Sequence, residues 1–583
     1  MPRFLLGITS RLGEASVLPK LRPQQTASLV FDLPVAGRRC VLYRVAHRAG
    51  PGVRPALAGE TGPVAPDPRT ITIRLGDDAD AVVTLAQDKL SVTVPLACVR
   101  QVYHRRDAEA WWFSDDPRLL IRPGMSLDVR WLLCQLELGA HPGPYTPWRE
   151  IRRIPLGMAL TVDVASLASQ EAPAPLLEDA GGASPAGAAS DEARIDAVAE
   201  LLDDAMRRAC PRRRGVVLFS GGVDSGLIAA RAAEMGWQEF VLAHSSRGPR
   251  DLETENARQM AAALKLEFRA FEYRPEDAMT HLSEMFDAYT PANDFSMMPT
   301  WTLARQLLEA FPEEDVVLDG TGADGVFGGL EKWKQARLLY RVPAVARKTA
   351  GWVYRAGRLW ARPGRAENVL RIVRRCALWP FPAFRVVLNP LGEIAYHAPR
   401  GVRREVAQAL LDWLDRVAAG SPPAARPKFV ALVSGTWRSS EKAAAALDNA
   451  GVRQSFPFQD PKLLAFAFRE VTTWPTHLRE GKGSLKQLLT RSVPVALVYR
   501  PKSGLSVLPV PTFGQPSFLR AFAEVLETSA GPFEGLIDRR FVRGLFEALE
   551  RRQELAWFTY EFVWALVFGH HWITRIQQHA TAA

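Results

Sequence analysis

The sequence predicts a two-part protein, a largely β N-terminal layer followed by an α/β domain with a parallel sheet and additional helices. Three observations carry this reading. Residues 1–170 hold short apolar segments with period-two alternation, separated by turn residues. From Gly215 to Ala230 a partly β-branched apolar run breaks into Ser-Gly-Gly and continues in a helix-forming pattern, which reads as buried strand, tight loop and helix N-terminus. Asp315 to Gly329 repeats that logic, and strands that alternate with helices between the two loops form a parallel sheet, whose ligands bind beyond the C-terminal strand ends.

A chain of 583 residues exceeds one ordinary domain, so two or three are expected. With 47% hydrophobic and 23% charged residues it has the balance of a folded protein rather than a disordered one. Cys40, Cys98, Cys134, Cys210 and Cys376 are odd in number and scattered, with no Cys-x-x-Cys pair. That argues against a disulfide framework or a structural zinc site, and for a reducing compartment. The run Phe4 to Ile8, followed by Arg11, is too short for a signal sequence, and no later segment has the apolar length of a membrane span. A cytoplasmic location is the expectation.

In the first part, strands are expected over 27–33, 39–45, 70–75, 81–85, 90–94, 111–114 and 119–122, and a helix over 127–138. Residues 171–194, rich in Ala, Gly, Pro and Ser, read as a flexible linker. An amphipathic helix over 195–210 then leads into the second domain, 195–583. There Glu239 to Ala243 reads as a second buried strand, residues 251–264 as a helix and Phe268 to Tyr273 as another strand. His244, at a strand end, is read as structural.

The loop Ser220-Gly221-Gly222-Val223-Asp224-Ser225 has an anion-binding shape: glycines let the backbone approach, N–H groups point outward, and the helix dipole adds partial positive charge. It lacks the Gly-Lys-Ser/Thr ending of a P-loop, which disfavours γ-phosphate transfer. Asp224 and Asp324, each just past a sheet strand, are placed to converge on one Mg²⁺, a hard cation that takes few carboxylates and keeps waters and phosphate oxygens.

Ser220 to Ser225 resembles the pyrophosphate loop of the ATP pyrophosphatases, which cleave ATP between the α and β phosphates. Thr321-Gly322-Ala323-Asp324-Gly325 with Phe327-Gly328-Gly329, the frame Phe456-Pro457-Phe458-Gln459-Asp460, Lys486-Gln487-Leu488-Leu489 and Arg500-Pro501-Lys502-Ser503-Gly504 together resemble class B asparagine synthetases. The resemblance extends to Thr146 to Leu160, which is similar to the end of their glutaminase domain. It implies that 1–170 is an α+β glutaminase-like layer of the Ntn type and that the second part is an ATP-pyrophosphatase domain.

The resemblance further implies an AMP-forming amide synthetase using ATP and Mg²⁺. Its candidate catalytic set is Lys502, Asp224 and Asp324, with Lys502 over the α-phosphate and acyl carbon and both aspartates as metal ligands. A compact ammonium suits charge that builds on phosphate and oxyanion. The candidate ATP and pyrophosphate set is Leu218, Ser220, Gly221, Gly222, Asp224, Ser225, Ala243, Gly320 and Lys486.

The departures from the family are informative. Gly325 stands at a glutamate position, and Arg453 and Ser455 replace the two charged residues before the Pro-Phe frame, which puts aspartate as the substrate in doubt. Pro2 stands where the glutaminases carry their nucleophilic cysteine, so that activity is not expected. An amine on the substrate itself is then the nucleophile, as in β-lactam synthetases and lasso-peptide cyclases. Thr321, at the place of a β-lactam synthetase tyrosine, favours the lasso-cyclase reading: a macrolactam from an Asp or Glu side chain and a peptide N-terminus. The implied partners are the cleaved precursor peptide and a leader-peptide protease or recognition protein. A tRNA-modifying pyrophosphatase and a non-catalytic peptide-binding scaffold remain as alternatives.

Net charge is +10, yet residues 331–376 alone hold thirteen Lys/Arg against Glu331 and Glu367, so the remainder is nearly neutral. One basic patch with interleaved aromatics is expected, either a solvated helical face or a docking surface for an acidic peptide, a partner protein or an anionic membrane. Nucleic acid is not an expected partner.

Overall fold

The computed structural model describes residues 3–9, 25–47, 70–74, 81–137, 143–174, 190–237, 239–248, 251–287, 295–313, 316–327, 401–419, 428–429, 438–449, 452–470, 481–500, 508–528 and 531–582, with isolated positions at 343, 345–346, 349, 399 and 432. The basic segment 331–376 therefore falls almost wholly outside the described residues.

Among the described residues, eleven strands precede the first long helix: β1 (Arg3–Thr9), β2 (Gln25–Val35), β3 (Arg38–His47), β4 (Thr70–Arg74), β5 (Val82–Ala86), β6 (Lys89–Val94), β7 (Tyr103–Arg106), β8 (Ala110–Ser114), β9 (Ile151–Arg153), β10 (Met158–Asp163) and β11 (Ser169–Pro173). They form two antiparallel sheets, ordered β2-β3-β1-β8-β7-β9 and β11-β10-β6-β5-β4. The run Phe4 to Ile8 is thus a central strand, paired with β3 on one side and β8 on the other. Phe4, Leu5, Leu6 and Ile8 are all buried, which explains an apolar run without alternation. Gly7 has a packing reason, since a Cβ there would run into the indole of Trp112.

The strand expected over 119–122 does not form. Pro117–Leu119 is instead a 3₁₀ turn, capped by the Asp116 carboxylate accepting from the Arg118 N–H. Leu119 and Leu120 are buried by this turn, so their apolar character reflects core packing rather than pairing. Regular structure also reaches into both ends of the stretch read as linker. β11 pairs with β10 up to Pro173, and the helix Asp191–Ala209 starts at a Ser190 cap.

Among the described residues, five further strands build the second part: β12 (Arg214–Leu218), β13 (Glu239–Ser246), β14 (Glu267–Glu272), β15 (Val316–Asp319) and β16 (Arg453–Ser455). All four pairings are parallel, in the order β14-β13-β12-β15-β16. The chain moves outward from β12 through β13 to β14, with helices Val223–Glu234 and Leu252–Leu264 as crossovers, and then returns to the other side of β12 as β15. Strand order reverses between β12 and β15, and a doubly wound sheet opens a crevice beyond the strand ends at such a point.

The two parts share a core. Trp572, on the C-terminal helix Trp557–Ala582, stacks at 6.1 Å on Trp131 and lies 5.9 Å from Trp148, all three buried. Gln135 Nε2 donates to the Ala565 carbonyl at 3.2 Å, and the Trp413 indole donates to the Leu156 carbonyl at 2.8 Å. Among the described residues no helix is long and apolar enough to cross a membrane.

Trp572→Ala removes the indole that joins these layers, and its expected cost is about 3–5 kcal/mol of stability. The measurement is the denaturant midpoint, followed by both tryptophan fluorescence and circular dichroism. The two parts are expected to lose stability together; a loss confined to one of them would contradict a shared core.

Candidate functional site

The crevice is built from three segments. The first is the turn after β12. Gly221 has φ +65°, and a Cβ there would stand 2.7 Å from the Ala257 Cα and 2.9 Å from Arg500 Nη2, so only glycine fits. Ser220 and Ser225 curl the turn: the Ser220 N–H donates to Ser225 Oγ at 3.1 Å, and the Gly222 N–H donates to Ser220 Oγ at 3.2 Å. Gly222 caps the helix Val223–Glu234, which places Asp224 and Ser225 in its first turn. Arg500 holds the loop from outside by donating to the Gly221 carbonyl.

The second segment follows β15. A Cβ on Gly320 would stand 2.9 Å from the Ser225 nitrogen and 3.0 Å from Asp224 Cβ, so the two loops touch backbone to backbone. Gly322, at φ +123°, turns the chain against Gln459 and Phe458 and starts the helical turn Ala323–Val326, which carries Asp324.

The third segment supplies a residue that the sequence reading passed over. Lys482, itself at φ +60°, donates its backbone N–H to the Phe327 carbonyl at 3.1 Å. Its ammonium lies 2.8 Å and 2.6 Å from the two Asp224 oxygens and 2.7 Å from Asp324 Oδ1. Burial alone would lower its pKa, but the two carboxylates outweigh that and hold it above the ordinary lysine value. The expected convergence of Asp224 and Asp324 is therefore present, and the cation between them is Lys482. A signal existed in the sequence: Lys482 immediately precedes Gly483 and the Lys486 element, but one lysine among 73 basic residues carries no mark of its role.

Of the other anticipated residues, Leu218 and Ala243 are register partners on β12 and β13, at the crevice end of the sheet. Lys486, in the helix Gly483–Leu489, has its ammonium 5.0 Å from the centre of the Tyr499 ring. Lys502 lies outside the described residues. Both His244 nitrogens are engaged, with the Phe219 carbonyl at 2.8 Å and Thr254 Oγ1 at 3.1 Å, and burial lowers its pKa. This is a structural histidine.

Behind the second loop lies a partly buried carboxylate. Asp319 accepts from the Thr321 N–H and hydroxyl, both at 2.8 Å, and from Gln454 Nε2 at 2.8 Å. Burial raises its pKa despite these bonds. Gln459 closes the network, donating to the Thr321 carbonyl at 3.2 Å, while Arg453 points away to the Ala209 carbonyl.

Two carboxylates are few for a metal, and among the described residues no group of three or more His, Cys, Asp or Glu could hold one. The pair fits Mg²⁺, which takes one or two carboxylates and draws its other oxygens from phosphates and water. Taken together, the crevice offers an anion-binding loop, a helix N-terminus, a carboxylate pair and a lysine at the switch point of the sheet.

Two outcomes follow from this geometry. Gly320→Ala is expected to push the loops apart and weaken anion binding at the Ser220–Ser225 loop at least about tenfold with the fold retained, measured by calorimetry and circular dichroism. For Asp319, a folded-state pKa above the unfolded one favours folding only while the group is protonated. Its contribution is lost as pH rises from the ordinary aspartate range through the raised value. Asp319→Asn should therefore gain stability relative to the native chain as pH rises above the ordinary aspartate range, read from melting temperatures across pH; a pH-independent difference would contradict the raised pKa.

A protein-family model described as asparagine synthase matches residues 197–572. The matched stretch runs from the helix that precedes β12 into the C-terminal helix and covers more than half of the chain. No curated protein matches the chain.

Proposed function

The chain belongs to the asparagine synthase family, whose members are ATP-dependent amide ligases, and from that premise we propose that it closes a macrolactam in a ribosomally made lasso peptide. An Asp or Glu side-chain carboxylate of the peptide attacks the α-phosphorus of ATP, and pyrophosphate leaves. The peptide's own N-terminal amine then attacks the acyl carbon, AMP leaves, and the amine loses a proton. Hydroxide is a poor leaving group and AMP a good one, so the two steps replace one difficult barrier.

The observation that carries the ATP chemistry is the meeting of Asp224 and Asp324 on one cation, beside the Ser220–Ser225 loop. In this reading Ser220, Gly221, Gly222 and Ser225 hold the pyrophosphate. Leu218, Ala243 and Gly320 shape the nucleotide side, and Lys486 and Lys502 supply positive charge. Asp224 and Asp324 would hold Mg²⁺, which neutralises phosphate charge when bound.

The substrate-borne amine is supported by the cysteines. Cys40 lies in β3, fully buried, and burial pushes its thiol up to about 11, which disqualifies it as a nucleophile near neutrality. Cys98, Cys134 and Cys210 are also buried. With ammonia from glutamine disfavoured, an amine already tethered to the activated carboxylate benefits from proximity, provided the enzyme holds the peptide folded.

The test is purified protein with Mg·ATP and a panel of synthetic peptides, each with a free N-terminus and one internal Asp or Glu. The expected products are AMP, pyrophosphate and a peptide lighter by one water. Formation of ADP, or of asparagine in a glutamine-dependent manner, would overturn the proposal.

A further inference from the structure

Lys482 is enclosed by carboxylates from two separate loops. Its ammonium has three protons, and the three carboxylate oxygens at 2.6, 2.7 and 2.8 Å use all of them. Its side chain is 15% exposed, whereas Asp324 is 76% exposed and opens onto the crevice. The backbone is held at φ +60°, which a non-glycine residue adopts at a cost, and the Phe327 carbonyl fixes it there. Backbone of this kind persists where the surroundings require the side chain to be in one place.

We propose that Lys482 is a pyrophosphate-binding residue that serves, before nucleotide arrives, as the internal counter-ion of the Asp224 and Asp324 carboxylates. This rests on the reading of the two loops as an ATP site. A divalent cation that enters with ATP neutralises the same two carboxylates. The lysine can reach a phosphate oxygen only by releasing at least one of them, because none of its protons is spare. Metal entry and transfer of the ammonium to the phosphates are therefore one exchange of ion partners. Metal alone must displace the lysine, so it binds weakly; metal with pyrophosphate gives the displaced lysine a new anion, so each strengthens the other.

Lys482→Gly is the informative variant, since glycine suits φ +60° and the backbone stays relaxed. The probes are Mn²⁺ alone, followed by electron paramagnetic resonance, and inorganic pyrophosphate at saturating Mn²⁺, followed by calorimetry. Removing the competing ammonium is expected to tighten Mn²⁺ binding at least tenfold and to weaken pyrophosphate at least tenfold. Lys482→Arg, which keeps the charge, is expected to leave Mn²⁺ binding close to that of the native chain. Unchanged Mn²⁺ affinity in Lys482→Gly would overturn the counter-ion role, and unchanged pyrophosphate affinity would overturn the transfer. Native protein that binds neither pyrophosphate nor ATP would instead overturn the ATP-site reading, independently of the lysine.

Discussion

Everything in the crevice depends on keeping two carboxylates from separate loops within reach of one cation. Two like charges that share one cation repel each other, and water screens only part of that repulsion, because Asp224 is largely enclosed while Asp324 faces solvent. The ammonium of Lys482 removes that repulsion. The close approach of Gly320 to the backbone of Asp224 and Ser225 sets how near the two loops can come. Charge and sterics therefore act on the same pair of turns, one drawing them together and the other setting how near they come.

The sheet explains why these turns are neighbours at all. In the order β14-β13-β12-β15-β16, β12 and β15 are neighbours although β13 and β14 lie between them in sequence, which is the reversal of strand order that opens a crevice. Both loops thus open onto one crevice, although Asp224 and Asp324 stand a hundred positions apart in sequence. The partly buried Asp319 network behind the second loop extends this support to β16, since Gln454 sits between Arg453 and Ser455 and faces inward. Substitution of charged residues at those two flanking positions leaves the inward-facing bond intact.

Much of this was legible from residue order, because strand, glycine turn and helix have strong local signatures. The β12 and β15 loops, the helix over 252–264 and the aspartates lie where periodicity and turn chemistry put them, while the helix expected over 195–210 starts earlier, at Asp191. What escaped was whatever depends on a distant partner. β1 reads as a featureless apolar run because it is buried on both faces between β3 and β8. Leu119 and Leu120 resemble a strand, but Pro117 and the Asp116 cap wind them into a turn. Lys482 is the clearest case: its position is set by carboxylates far away in the chain, and no local pattern distinguishes it from a solvated lysine.

The C-terminal helix carries a consequence for how the molecule is assembled. Gln135 and Ala565 are bonded across 430 positions, and Trp572 seals a cluster whose other members, Trp131 and Trp148, belong to the N-terminal part of the chain. During synthesis that aromatic surface is made early and covered late, so the N-terminal sheets must persist with a sticky, unfilled seam while several hundred residues follow. Loop closure over such a span is slow and entropically costly. The nascent chain is thus a natural client for a chaperone that shields apolar surface until the last helix emerges.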